Sequence, residues 1–350
     1  MFSTYHSDDV ILLLKDITGL VEPQPASVRE KLIQSGTHYC EMLPLEYAPS
    51  EMYMATFQHA LEQYAEITAN AVAVVAEQIY KEKGKAAVIV SLARAGTPIG
   101  ILIKRYLQQK YSVAVAHYTI SIIRGRGIDR NAMNYILNRH RAEDIQFVDG
   151  WTGKGAIQHQ LNEAMADFPE VDPGLAVLSD PACAAKICGT HDDFLIASSC
   201  LNSTVSGLLS RTFLRSDIIG PEDFHGAAFY PELLNQDLTY LFINAIQEAF
   251  PERLPSQKET ATNFDDALAE VEAIRLHFGI HDKNLVKPSI GEATRVLLRR
   301  LPWKILVHSL HDDAHLAHLY QLAKEKHVEL VEYPLRHYRA CGLIKEMADT

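Results

Sequence analysis

Cysteine is scarce in this chain and arranged in no framework: Cys40, Cys183, Cys188, Cys200 and Cys341 are all that 350 residues contain. An odd count without regular spacing argues against disulfide stapling and fits a reducing compartment. No Cys-x-x-Cys pair occurs, and no zinc-ligand pattern is found. Long apolar runs are missing too. Ile11–Leu14 and Ala71–Ala76 are short core segments, far from the eighteen or more residues of a membrane span. The N-terminus, Met1 to Asp9, lacks a basic region and a small-residue cleavage site. A cytoplasmic protein with no membrane partner is expected. Positive charge is in deficit: the net charge of −11 opposes wholesale nucleic-acid binding.

What is present is enough apolar residue, 47%, to bury an ordinary core, and a length that suggests two domains. Charge divides unevenly. Residues 281–350 carry +2, the remainder −13, and that tail holds seven of the sixteen histidines. The asymmetry hints at a second domain with a different partner.

Residues 1–45 read as irregular, with Ser27-Val-Arg-Glu30 as a capping box for a short helix. A long helix is expected from Ser50 to Lys83, closed by Gly84. Alternation follows: strands at Ala86–Leu92, Val113–Ser121, Ile145–Asp149, Leu175–Ser179 and Phe194–Ser198, and helices at Thr97–Gln109, Asp129–Arg141 and Gly155–Ala166. Apolar strands separated by helices of this length indicate a parallel sheet covered on both faces. Pro251–Asn263 is the linker candidate and Phe264–Phe278 a bridging helix. Ser289–Arg300, Lys304–His308, Ala314–Lys326 and Val328–Glu332 then alternate as helix, strand, helix and strand in a compact α/β unit. The expected domains are 1–265, a linker helix 266–280, and 281–350.

In open α/β sheets ligands bind beyond the carboxyl ends of the strands. Three strand-end loops have unusual composition. In Ser91–Gly100, Arg94 and the Ala95–Gly96 amides precede a helix opening at Thr97-Pro98, an arrangement that attracts anions. In Asp149-Gly150-Trp151-Thr152-Gly153-Lys154-Gly155, backbone amides and the Thr152 hydroxyl can wrap a phosphate while Asp149 meets sugar hydroxyls. Lys154 is followed by Gly155, so this is no nucleoside-triphosphatase loop. The third, Ile122–Asn131, places Arg124, Arg126 and Arg130 in a glycine-containing cationic loop able to close over a polyanion.

Together these loops, in this order, resemble the phosphoribosyltransferase family over roughly residues 50–200. The family's signature has two adjacent acids; here Gly150 replaces the second, and the turn is shorter. The wording Asp-Gly-Trp-Thr-Gly-Lys-Gly is similar to that of StiP, a bacterial group of tellurite-resistance and stress operons. The tail, with Pro302-Trp-Lys-Ile-Leu-Val307 and Ala340-Cys-Gly342-Leu, resembles that group's pelota-like domain. The resemblance implies a type I phosphoribosyltransferase-like parallel-sheet core with a smaller C-terminal α/β pelota-like domain. It implies transfer of phosphoribose between PRPP and a base, with Mg²⁺ on the pyrophosphate. Thr152 and the Gly153, Lys154 and Gly155 amides would hold the 5′-phosphate. Asp149, with Gly150 beside it, would meet the ribose, Arg94, Ala95, Gly96 and Thr97 the pyrophosphate, and Arg124, Arg126 and Arg130 would close the site. PRPP or a nucleotide is the expected partner, a homodimer is compatible, and RNA is a candidate partner for residues 281–350 through Lys287, Arg295, Arg299, Arg300 and Arg339.

Two other classes remain open. One is a non-catalytic nucleotide- or RNA-binding module. The other is a cysteine hydrolase, since the StiP group also carries a protease label; Cys188 near His191, or Cys200 with Asn202, would supply its thiol. The stretch His308–His318 could be a metal site through His311, His315 and His318, or a polar loop leading to a helix cap at Asp312 or Asp313.

Overall fold

The computed structural model of the protein describes residues 2–255 and 263–345. Two short strands, β1 (Ile11–Leu12) and β2 (Lys15–Asp16), precede helix α1 (Ala26–Gln34). The expected capping box does not form: α1 starts behind Pro25 with no side-chain cap, and Ser27 already lies within its first turn. The long helix α2 (Glu51–Lys83) is as the sequence suggests. Ser50 accepts from the Tyr53 N–H at its start, and Gly84 ends it at φ +62°, where a side chain would be strained. Residues 71–76 are apolar all round and buried all round, as a helix threaded through a core must be.

The α/β alternation then runs β3 (Val88–Leu92), α3 (Gly96–Tyr111), β4 (Ala116–Ile120), the small ribbon β5 (Ile122–Ile123) and β6 (Gly127–Ile128), α4 (Arg130–Leu137), β7 (Ile145–Val148), α5 (Ala156–Ala164), β8 (Leu175–Ser179) and β9 (Ile187–Thr190). The main sheet has the order β1-β4-β3-β7-β8-β9, with every pairing parallel. β3, β7 and β8 are buried at each residue because helices cover both faces. One expected strand is misplaced. Phe194–Ser198 is buried connection leading into a 3-10 turn at Ala197–Cys200, which packs between α2 and a C-terminal helix. The edge strand is Ile187–Thr190 instead. Burial there comes from threading, not from sheet pairing.

β10 (Gly226–Ala227) pairs with β2, and α6 (Thr239–Glu248) packs on α2 and α3. Of the expected linker, residues 256–262 lie outside the described residues. After α7 (Phe264–His277), a smaller α/β domain comprises β11 (Val286–Pro288), α8 (Ile290–Arg299), β12 (Pro302–Val307), α9 (Asp313–Glu325), β13 (Glu329–Glu332) and β14 (Ala340–Ile344). Its sheet order is β11-β14-β12-β13, with only β12 and β13 parallel.

The two sheets share one hydrophobic cluster, in which Phe57 and Ile89 are continuous with Val296, Ile305 and Leu316. A buried carboxylate also joins them. Asp193 of the first domain accepts from the Ile290 N–H, at the start of α8, and from the Arg339 N–H at 2.9 Å. Among the described residues no helix is long and apolar enough to cross a membrane.

Candidate functional site

The carboxyl ends of β3 and β7 open into a cleft of about 1700 Å³ between the two domains. Most of the residues singled out from sequence do meet there: Arg94, Ala95, Arg124, Asp149, Thr152, Gly153, Lys154 and Gly155 all line it. Four do not serve as expected. Arg126 pairs with Glu41 and Arg130 with Asp167, both toward solvent. Gly96 and Thr97 are packing residues. A Cβ on Gly96 would sit 2.5 Å from the Val148 carbonyl oxygen, and the Thr97 hydroxyl bonds Thr119 inside the core.

The expected ligand groups that reach the cleft are committed to the protein itself. Arg94 donates to the Leu209 carbonyl, Glu46 and Asn202. Arg124 donates to Asn284. The Thr152 hydroxyl donates to the buried Asp180 at 2.5 Å. The Lys154 ammonium bonds the Lys283 and Val286 carbonyls, and Tyr338 donates to the Gly153 carbonyl. Gly150 gives its N–H to the Asp149 carboxylate. The second domain thus closes down on this loop, with Trp151 lying between Gly291 and the Arg295 guanidinium 4.3 Å from its ring. Desolvation follows. Burial pushes the Asp149 carboxyl up to about 6 and the Lys154 ammonium down to about 7, the latter helped by Lys287 and Arg124 nearby. The loop residues do not fit a magnesium site: Asp149 is the loop's one acid, and burial disfavours its charge.

A second centre lies at the ends of β8 and β9. The His191 ring has Nδ1 2.9 Å from the Asp180 carbonyl oxygen, which fixes that nitrogen as the N–H donor. In the neutral ring Nε2 then carries the lone pair; Cys188 Sγ lies 3.6 Å from Nε2 and 4.0 Å from Nδ1, beside the ring rather than along that lone pair. Cys183 Sγ lies 3.4 Å from Nδ1, on the protonated side. The backbone positions these groups: the 180–185 turn joins β8 to β9, Cys183 adopts φ 52°, and the Ala184 and Ala185 N–H groups bind the Asp180 carboxylate. Burial pushes the Cys188 thiol up to about 12, with the negative charge of Asp180 adding to it. His191 and Cys188 are both partly exposed.

Cys200, the other sequence candidate, is buried and pushed up to about 12; among the described residues no histidine lies in reach of its sulfur, and Asn202 is taken by Arg94. The metal reading of the histidine stretch does not assemble either. His308 and His315 both bond Asp312, while His318 is buried against Thr294 and pushed down to about 3 by desolvation. Among the described residues the group with metal-ligand proximity is Asp180, Cys188 and His191. Sequence reasoning named Cys188 and His191, and expected Asp180-Pro-Ala-Cys183 to border the cleft of the glycine-rich loop; Asp180 and Cys183 instead surround His191. Cys183 lies eight residues before His191, and only the β8–β9 pairing brings the two together.

Fold and site define a two-domain α/β protein with a thiol–imidazole pair at its strand ends. The chain belongs to the StiP family: the family model described as tellurite-like stress resistance cysteine protease StiP matches residues 3–247. The cysteine protease StiP of Acinetobacter baylyi is 35% identical over 364 residues, which cover 98% of this chain and 94% of that protein. The PELOTA RNA binding domain matches residues 265–346. Among solved structures, a hypoxanthine-guanine phosphoribosyltransferase of Bacillus anthracis is 16% identical over 36% of this chain and 76% of that one, at a TM-score of 0.26. The hypoxanthine phosphoribosyltransferase of Trypanosoma cruzi is 18% identical over 35% and 75%, at 0.28. Likeness this slight carries no activity. The expected phosphoribosyl transfer is therefore corrected. The relative that spans nearly the whole chain is named a cysteine protease, and Thr152, Lys154 and Arg94 are engaged in holding the protein together.

Proposed function

We propose that this protein is a thiol hydrolase that cleaves peptide bonds, with Cys188 as nucleophile and His191 as its base. One observation carries the reading: His191, held by the Asp180 carbonyl, lies against Cys188 with Nε2 3.6 Å and Nδ1 4.0 Å from its sulfur. A nucleophile, a base and a group orienting the base are the parts such catalysis needs. Because burial keeps the thiol protonated at neutral pH, proton transfer accompanies attack. The Cys188 S–H proton passes to His191 Nε2 as sulfur bonds the scissile carbonyl carbon. The imidazolium returns that proton to the departing amine, leaving a thioester. Water, deprotonated by the same nitrogen, then releases the acid and restores the thiol. The name of the Acinetobacter relative supports this reading.

The test is cleavage of a fluorogenic peptide library by the full chain. Cys188→Ser and His191→Ala should each lower the rate by at least a hundredfold, as expected for loss of a nucleophile or its base. Cys183→Ser should retain most of it, and a chelator should have no effect. Activity intact in Cys188→Ser would overturn the assignment, and activity lost to chelation would make the same three groups a metal centre. The PELOTA match supports RNA as the partner of the C-terminal domain.

A further inference from the structure

One end of the interdomain cleft gathers guanidinium groups from four separate stretches of chain: Arg29 of α1, Arg94 after β3, Arg211, and Arg299 and Arg300 at the end of α8. They feel one another. Arg300 depresses Arg29, while Arg29, Arg94 and Arg300 depress Arg211, in each case after burial itself. Counting Arg295 beside Arg299, six guanidinium groups face Glu30, Glu46 and Glu292 among the described residues, leaving three positive charges in surplus within a protein of net charge −11. Glu30 is taken by Arg300, at 2.8 Å, and Glu46 by Arg94.

Arg29 is what this leaves over. It is 9% exposed, its Nε is buried without a partner, and among the described residues its side chain makes no hydrogen bond or ion pair. Among the described residues the Arg211 guanidinium has only the face of Tyr39, 4.6 Å from its ring centre. Nε of Arg299 is likewise buried and unmatched. A desolvated, unpaired cation is costly, and several side by side are costlier. Folding tolerates such an arrangement where an anion completes it. Planar guanidinium forks gathered round an enclosed floor suit phosphate oxygens, which they can grip two at a time.

We propose that this end of the cleft binds a small oligophosphate or phosphate ester carrying at least three negative charges, with Arg29 and Arg211 as its central contacts. The site stands apart from the thiol centre: neither Cys188 nor His191 lines the cleft. Burial favours a small ligand over a nucleic-acid backbone, since Arg29 is only 9% exposed.

Binding of sodium tripolyphosphate to the full chain, followed by calorimetry and by thermal melting, tests this. Sulfate and citrate at matched ionic strength separate phosphate recognition from general charge attraction. Tripolyphosphate should raise the melting temperature well beyond either control. Arg29→Met should weaken its Kd at least tenfold while the ligand-free variant melts no lower than the parent, because an unpaired buried charge has been removed. Arg211→Met should behave the same way, and Cys188→Ser should bind normally. Equal responses to citrate and tripolyphosphate, undiminished binding by both arginine variants, or a ligand-free Arg29→Met protein that melts lower would each overturn the proposal. So would a structured RNA that outcompetes tripolyphosphate and depends on Arg29.

Discussion

Gly96 shows how a residue that reads as ligand-binding can be fixed by packing alone. Its position at the start of α3 suggested an amide offered to an anion, but α3 crosses β7 so closely that a Cβ would lie 2.5 Å from the Val148 carbonyl and 3.1 Å from the Asp149 Cα. Backbone cannot yield as a flexible side chain does. Gly96→Ala should therefore destabilise the protein by about 1–3 kcal/mol, the range for overpacking. Gly150→Ala, whose Cβ would find its nearest neighbours at 4.0 Å, should cost less than about 0.5 kcal/mol. Urea unfolding of both variants checks this, and equal effects would show that α3 is free to shift. Local signals were legible at this scale. Ser50 and Gly84 bound α2, and Asp129 caps α4 through the Ala132 N–H. The Cys188–His191 pair was visible as a short spacing. What made it a pair, the Asp180 carbonyl on the other nitrogen, depends on the pairing of β8 with β9 and has no local signature.

Among the elements, α8 departs most from its sequence reading. Arg295 and Arg299 share a face, as helical spacing requires, and that face was expected to meet RNA. The structure turns it toward the first domain. Arg295 covers Trp151, Arg299 donates to the Leu201 carbonyl at 2.6 Å, and Arg300 pairs with Glu30. Lys287 is half-buried, with desolvation pushing it down to about 8, and Arg339 is tied to Asp193 and Asp312. Charge count and periodicity show that a face is basic, not what it faces; the partners came from 98 to 270 residues earlier in the chain. If the C-terminal domain binds RNA, it does so over another surface. Titration of structured RNA into the full chain should show an affinity falling with salt, at a log–log slope of about 0.9 per phosphate contact on duplex. Arg295→Ala with Arg299→Ala should leave both affinity and slope unchanged. A slope reduced by about two in that variant would place the RNA in the cleft after all.

For the whole molecule, the sequence conveyed a parallel sheet followed by a smaller α/β unit, because apolar strands and helical spacing are local patterns. It did not convey that the two close over a polar seam. That seam has a consequence for stability against pH. Asp149 and Asp193 are raised by burial to about 6 and about 7. For an acid whose folded value lies above its unfolded one, the folded state holds the extra proton, so stability falls as pH rises from about 4 toward 7. Lys154 and Lys287 are lowered by burial to about 7 and about 8. For these the folded state has shed a proton that the unfolded chain keeps. Their penalty is full below 7 and disappears as pH rises toward about 10.4, where the unfolded lysine also becomes neutral. Both penalties overlap near neutrality. Other carboxylates dominate the acid side, so the basic side is the one to measure. Between pH 7 and 10 the wild-type protein should gain about 1–2 kcal/mol relative to Lys154→Met, which has no proton to shed there. Parallel stability profiles for the two proteins would mean that Lys154 keeps its charge in the seam, drawing enough from the Lys283 and Val286 carbonyls to offset its burial.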